Sequence, residues 1–348
     1  MMILALDLGK SKSVGCVLDT ITNQHRFISV ATTPQAIHDR LVKVAPDRLV
    51  IEVGTPAGWV HDIGVALGLE VQVANPSNEG WRWHRVKVKT DRLDALKLAN
   101  LSMVDQLPTV HMPETSVRQW RHLIHYRSRL VARRTRIKNT IRALLHCQGL
   151  SMPGGKNGWT QASLGQLQAW AAPLDRVEPT QLWRGELYEE LQALTAAEEQ
   201  LARVEAKLDD LAATDERVAR VQSIPAIGPR TAELLVAVID DPHRFGSAKQ
   251  VGSYVGLTPR KFQSGQMDRN GRITKAGNAQ LRRMLVEVSW LALRYNPQLR
   301  AVFQRICRGS RTRRKIAIVA VARKLLTWAW ALLRDGSTWN PGRVGQAA

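Results

Sequence analysis

Two short apolar runs each carry a carboxylate in a setting where a buried strand gains nothing from one. Residues 3–8 read ILALDL and hold Asp7; residues 48–53 read RLVIEV and hold Glu52. Apolar runs of this length, bounded by turn residues, read as strands. After the first comes the turn GKSKS and then VGCVLD, which predicts a hairpin. Residues 55–68 have a helical pattern, and residues 71–74 read as a further strand ending at Asn75-Pro76. Strands mixed with helices predict an α/β sheet covered by helices. An ionised carboxylate inside such a sheet is costly unless it is paired or binds a metal. Either acid alone fits a cap or an edge strand, but the two together point to a site.

Residues 87–100, KVKTDRLDALKLAN, supply two more acids. Thr90 or Asp91 can cap a helix whose expected apolar face is Leu93, Leu96 and residues 98–101. Asp91 and Asp94 stand three apart and share a face. Acids at a helix N-terminus also have a plain reading, since the helix dipole favours them there. Four carboxylates from two strands and one helix can converge on two Mg²⁺ ions roughly 4 Å apart. Oxygen donors suit Mg²⁺ or Mn²⁺, and no Cys or His cluster competes. Cys16, Cys147 and Cys307 are too scattered for a disulfide frame or a zinc site, which fits a reducing cytoplasm.

The charge balance says what those acids work on. Lys and Arg number 50 against 30 Asp and Glu, a net charge of +20. Such an excess predicts a polyanionic partner, nucleic acid by default. A membrane is not expected: the most apolar stretch, residues 316–333, is broken by Arg323 and Lys324, and Asp7 and Lys10 interrupt any N-terminal signal segment. The 348 residues predict two or three domains, which we draw at 1–112, 113–214 and 215–348.

Residues 116–148 have helical periodicity and no acid. Val117, Trp120, Ile124, Val131, Ile137, Ile141 and Leu144 form the packing face, and a cationic rail that includes Arg127, Arg133, Arg134, Lys138 and Arg142 is left for nucleic acid. Residues 151–180, with Trp159 and Trp170, read as an insertion or long connector. Residues 186–213 carry a near-heptad leucine seam, which predicts an antiparallel coiled coil with the basic helix, within the chain or across a dimer. Residues 221–239, VQSIPAIGPRTAELLVAVI, resemble a helix-hairpin-helix, whose turn offers backbone N–H groups to a phosphate. Ala226 stands where that motif usually has glycine. Helices are expected over residues 249–257, 279–294 and 315–333, and a frayed tail from residue 335.

Residues 256–284, GLTPRKFQSGQMDRNGRITKAGNAQLRRM, hold Ser264 before Gly265 in an expected loop. Around it lie Arg260, Lys261, Arg269, Arg272, Lys275, Arg282 and Arg283, opposed only by Asp268. A hydroxyl amid fixed positive charge supplies a nucleophile and donors for a developing phosphate charge. Taken alone, it is equally a Ser-Gly turn on a basic surface.

In this order and spacing, LALDLGK, VIEVG, KTDRLDALKLA, IPAIGPRTAELL, SYVGLTPR, QSG and GRITKAGNAQLRR resemble the transposases of the insertion-sequence one-hundred-and-ten family, the DEDD transposases, over nearly the whole chain. The resemblance implies a RuvC-like, RNase-H-type N-terminal domain and a second, C-terminal transposase domain. It implies a site-specific DNA recombinase guided by a structured non-coding bridge RNA that pairs with target and donor DNA. It further implies that Asp7, Glu52, Asp91 and Asp94 hold the divalent metal and that Ser264 forms a covalent phosphoserine link with DNA. The implied site is composite between subunits, and the implied assembly is a tetramer built from two dimers.

Three rivals remain. A RuvC-like nuclease or junction resolvase would use water and have no need of Ser264. The turn LDLGKSKS resembles the phosphate loop of actin-like and sugar kinases, but no second Asp-Gly loop follows. For a purely binding protein, four acids in a cationic chain would serve no purpose.

Overall fold

The computed structural model describes residues 1–75 and 90–343. Pro76, residues 87–89 of the acid-bearing stretch and residues 344–348 of the expected tail lie outside the described residues. The chain divides into two compact units, Met1–Arg118 and Gln119–Ala348, so that most of the segment drawn as a separate middle domain falls within the second.

Unit 1 is a five-stranded sheet with helices on both faces. Its strands are β1 (Met2–Asp7), β2 (Lys12–Asp19), β3 (His25–Ala31), β4 (Arg48–Glu52) and β5 (Glu70–Ala74), in the order β3-β2-β1-β4-β5. β1, β2 and β3 are antiparallel neighbours, whereas β4 runs parallel to both β1 and β5. An antiparallel meander extended by two parallel strands is the sheet of the RNase-H type. β3 and the helix α1 (Pro34–Val44) add to the elements expected from sequence. α1 carries its own signals: Thr33 caps it through Ala36 N, Pro34 opens it, and Ile37, Leu41 and Val44 form its buried stripe.

Side-chain alternation sorts the sheet into two faces. Leu4, Leu6, Leu49 and Ile51 pack on the side of α1 and α2 (Ala57–Ala66). Ile3, Ala5 and Val50 pack on the other side, against Ala95, Leu98 and Ala99 of α3 (Asp91–Met103). The buried stripe of α3 is Asp94, Ala95, Leu98, Ala99 and Ser102. This corrects the expected leucine face: Leu93 is 36% exposed. Small residues at 95 and 99 bring the helix close to the sheet. Arg48 then ties β4 to its far end, donating to the Ser102 carbonyl at 3.0 Å while its Nε lies 2.9 Å from Glu70.

Unit 2 is helical apart from one hairpin. α4 (Thr115–Cys147) enters it from unit 1, and α6 (Leu182–Ala213) runs antiparallel to α4 in the same chain, with Arg127 paired to Glu205 and Lys138 to Glu198. Ile137, Ile141 and Leu145 share a core with Leu187, Leu194 and Ala197. The expected connector at 151–180 contains a helix, α5 (Gln161–Trp170), and Trp159 and Trp170 pack on that core. A second core joins α7 (Glu216–Gln222), α8 (Pro229–Ile239), α9 (Ala248–Val255), α10 (Ala279–Tyr295), α11 (Pro297–Cys307) and α12 (Arg314–Asp335). By length and composition α12 is long and apolar enough to cross a membrane even with Arg323 and Lys324 within it, a test that a buried core helix also passes. Its Val321, Ala322, Leu325, Leu326 and Ala329 are fully buried in this core. Nor is the tail frayed as far as Trp339, which packs on Trp328 at 4.3 Å between ring centroids and donates its backbone N–H to Ser223.

Glu233 of α8 is buried beneath Arg230, which also reaches Asp209 of α6. Burial pushes the Glu233 carboxyl up to about 7, although Arg230 opposes the shift. Between α7 and α8, Ala226 adopts φ +79°, the left-handed conformation that glycine takes without cost, while Ile224 and Ile227 on either side are sunk in the core. The turn is therefore forced by its neighbours against the preference of its own residue. Replacing Ala226 with Gly removes a backbone strain of about 1–2 kcal/mol and gives part of it back as unfolded-chain entropy. Ala226→Gly is expected to raise stability by about 0.5–1 kcal/mol, read as a higher urea midpoint. An unchanged midpoint would show that the turn is not strained.

Candidate active site: an acid-lined cavity and a serine hairpin

In unit 1, Asp7 and Glu52 are the last residues of β1 and β4. Asp7 follows Ile3 and Ala5, and Glu52 follows Val50, so by alternation both side chains project from the sheet face that carries α3. The β1–β4 register runs from Ile3 beside Arg48 to Leu6 beside Ile51. One further step in that register sets Asp7 beside Glu52.

α3 brings the other two acids to the same end of the sheet. Thr90 caps it, its hydroxyl accepting from Leu93 N at 3.3 Å, and this places Asp91 and Asp94 in the first turn. The positive end of the helix dipole favours both. Asp94 is 6% exposed, held in the stripe that faces the sheet, whereas Asp91 is exposed. Lys97, three residues on, feels the Asp94 charge: burial lowers the Lys97 pKa and Asp94 opposes the shift.

Asp7, Glu52, Asp91 and Asp94 line one cavity of about 340 Å³, together with Leu8, Val53 and Gly54. The four acids expected from sequence are thus gathered around one space. Among the described residues no three acids, histidines or cysteines are already drawn into a ready-made metal cage. Like-charged carboxylates keep apart unless a cation draws them in. The donor set, all oxygen and all anionic, fits a hard divalent ion such as Mg²⁺ or Mn²⁺.

Ser264 belongs to unit 2. It is the last residue of β6 (Pro259–Ser264), which pairs antiparallel with β7 (Met267–Ile273). The expected loop is therefore the tip of a β-hairpin. Gly265 turns it with φ +53°, and Ser264 stands exposed opposite Met267. At the hairpin base, a Cβ on Gly277 would run into the Tyr254 carbonyl, so only glycine fits there.

The expected cationic residues have different surroundings. Arg282 donates to the carbonyls of Val255, Ala276 and Gly277, so it closes the hairpin base. Lys261 pairs with Asp268 at 3.1 Å. Arg269 lies over the Phe262 ring at 5.4 Å, and Arg272, Lys275 and Arg283 are exposed. On α4, the acids of α6 neutralise Arg127 and Lys138, which corrects the view that nothing balances that rail. Arg142 donates to the Gly155 carbonyl and lies over Trp159. Among the described residues Arg133 and Arg134 have no acidic partner. Arg129, Arg133 and Arg136, at i, i+4 and i+7, form an exposed stripe on one face of α4. Phe262 was passed over in the sequence, where PRKFQS has no apolar alternation to mark it.

Acids around one cavity of a sheet, and an exposed serine on a cationic helical unit, are the parts of an enzyme that works on nucleic acid. The family description "Transposase IS116/IS110/IS902 family" matches residues 218–304, and the IS110-type DEDD transposase description matches residues 4–147. A "Probable family 20 transposase" of Pseudomonas aeruginosa is 30% identical over 312 residues, spanning 88% of this chain and 89% of that protein. The "Pilin gene-inverting protein" of Moraxella lacunata is 36% identical over 127 residues, 36% of this chain and 39% of its own. The Thermus thermophilus RuvC structure aligns with 32% of this chain and all of its own at 16% identity, with a TM-score of 0.24, too slight a likeness to carry an argument. The chain belongs to the IS116/IS110/IS902 transposase family, and DNA is accordingly its substrate.

A divalent ion held by the four acids would stabilise the folded state by about 2.7 kcal/mol when present at about 100 times its dissociation constant. Mg²⁺ should therefore raise the thermal midpoint of the wild-type chain and leave that of Glu52→Gln nearly unmoved. Equal shifts in both proteins would remove Glu52 from the metal site.

Proposed function

We propose that this chain cuts and rejoins DNA strands during transposition of its own element through a phosphoserine at Ser264, with Mg²⁺ or Mn²⁺ held by Asp7, Glu52, Asp91 and Asp94. The observation that carries the reading is the convergence of these four acids on one cavity in a chain of net charge +20. A metal-binding cavity lined by carboxylates has a clear task in a cationic protein whose family acts on DNA.

The chemistry balances without an outside energy source. The Ser264 hydroxyl attacks the phosphorus of one phosphodiester, and its proton passes to a carboxylate or to water. An Oγ–P bond forms, the P–O bond to one deoxyribose breaks, and that oxygen leaves as a hydroxyl. The hydroxyl of another strand then attacks the phosphoserine, restoring a phosphodiester and freeing Ser264. A bound divalent ion would lower the pKa of the attacking oxygen and offset charge on the phosphate. Arg260, Arg269 and Arg272 on the hairpin would supply fixed positive charge to the same phosphate. Because the acids and the serine belong to different units, the reading requires both to act on one phosphodiester, supplied by one chain or by two copies in a dimer or tetramer.

A structured guide RNA supplies the choice of sequence in this proposal. Its support is the Arg129, Arg133 and Arg136 stripe, which suits a phosphate backbone. The α7–α8 turn would serve as a helix-hairpin-helix phosphate contact. The name of the Moraxella relative, a DNA-inverting protein, favours recombination over simple cutting.

The second reading is a RuvC-like nuclease that uses water. It fits the acid cavity equally well, since four carboxylates suffice for metal-assisted hydrolysis. Strand exchange on a plasmid carrying the element's junction, with its flanking transcript and Mg²⁺, separates the two. Ser264→Ala should lose cutting and joining by roughly a thousandfold or more, as loss of a nucleophile does, while Asp7→Asn loses both as well. Unimpaired cutting by Ser264→Ala would establish the water reading.

A further inference from the structure

The serine hairpin carries an apolar patch that the phosphoserine reading does not use. Phe262 is 45% exposed and Met267 is 48% exposed, on a two-stranded ribbon with almost no core of its own. The register places them together. Ser264 pairs with Met267 and Phe262 pairs with Arg269, so all four side chains share one face of the ribbon. Gly271 on the neighbouring strand makes room for the ring: a Cβ there would come within 2.6 Å of Phe262 Cε2. Exposed aromatic and thioether side chains in water gain nothing for folding at such a position. Lys261 and Asp268 project from the opposite face, where they pair with each other. The face with Ser264 therefore offers a hydroxyl, an apolar platform and the cation of Arg269, and no carboxylate.

The geometry points to a nucleobase-stacking platform: Phe262 and Met267 hold one unstacked base of the DNA beside the phosphodiester presented to Ser264. This rests on the proposal that Ser264 meets DNA. Two residues of a strand span about 6.8 Å, twice the 3.4 Å rise of one base step, so Phe262 lies within reach of a nucleotide adjoining the phosphate at Ser264. Aromatic faces accept any base, and apolar wedges of this kind open base steps. Arg269, now over the ring, shares the face of Ser264 and is placed to meet the phosphate presented there. A platform tolerant of sequence suits a site that must hold different DNA ends in turn, and an unstacked step gives the serine access to the backbone.

The test uses the full chain with Ser264→Ala, so that no chemistry intervenes, and an oligothymidylate carrying one 5-iodouracil. Ultraviolet light couples that base to aromatic or sulfur side chains in contact with it, and peptide mapping finds the site. The major cross-link is expected at Phe262 or Met267. In the same background, Phe262→Ala is expected to weaken oligothymidylate binding by roughly five- to a hundredfold, while Phe262→Trp retains it. Phe262 is exposed, so neither change should alter the melting curve. Cross-linking confined to other residues, or affinity unchanged in Phe262→Ala, overturns the platform. Because the readout is contact and affinity, it stands apart from the nucleophile: a platform that cross-links in a protein that never forms a DNA adduct leaves the base contact intact and removes only the phosphoserine.

Discussion

Asp7 and Glu52 end neighbouring parallel strands on one face of the sheet. Adjacent strands run about 4.8 Å apart. Carboxylate charges carried side by side on neighbouring strands repel one another. α3 adds to the concentration of negative charge. The α3 cap at Thr90 fixes Asp91 and Asp94 in the first turn, and the small residues Ala95 and Ala99 seat that turn against the sheet. A cation among these acids converts the repulsion into binding, which is the simplest physical reason for a fold to bear it.

Unit 2 solves a different problem, the display of positive charge without collapse onto its own acids. Part of its charge is spent on structure. Arg127 and Lys138 bind the glutamates of α6, and Arg282 closes the hairpin base through backbone carbonyls. What remains outward includes the Arg129, Arg133 and Arg136 stripe, the hairpin with Arg260, Arg269 and Arg272, and the exposed cations Arg311, Arg313, Arg314 and Lys315. Ion pairs within the chain and contacts with DNA draw on the same residue types, so only the fold sorts one from the other.

That sorting explains what could be read in advance. The acid site was legible because it depends on period-two alternation and a helix cap, both local rules. An apolar run that ends in a carboxylate, and Thr90 before Asp91 and Asp94, carry their geometry within a few residues. α3's buried face was legible only in part: Leu98 and Ala99 are buried as expected, but closeness to the sheet favoured Ala95 over Leu93. β3 is an edge strand with only Val30 buried, so its pattern is weak, whereas α1 was missed although its Thr33-Pro34 start carried a readable signal. The fate of Arg127, Lys138 and Arg282 depends on partners up to 78 residues away, which no local pattern contains. Ser264 was singled out by the cations near it in sequence, while its position at a strand end, with Phe262 on the same face, needed the register of β6 and β7.

The central claim is a covalent bond between Ser264 and DNA formed beside a metal held by the four acids. The most direct measurement is denaturing electrophoresis of the chain incubated with labelled junction DNA, its flanking transcript and Mg²⁺, followed by peptide mapping of any retarded band. A DNA-linked peptide containing Ser264, dependent on Mg²⁺ and lost in Asp7→Asn, is the expected result. Cleaved DNA with no protein-linked band would contradict it and leave the acid cavity as a hydrolytic centre that uses water.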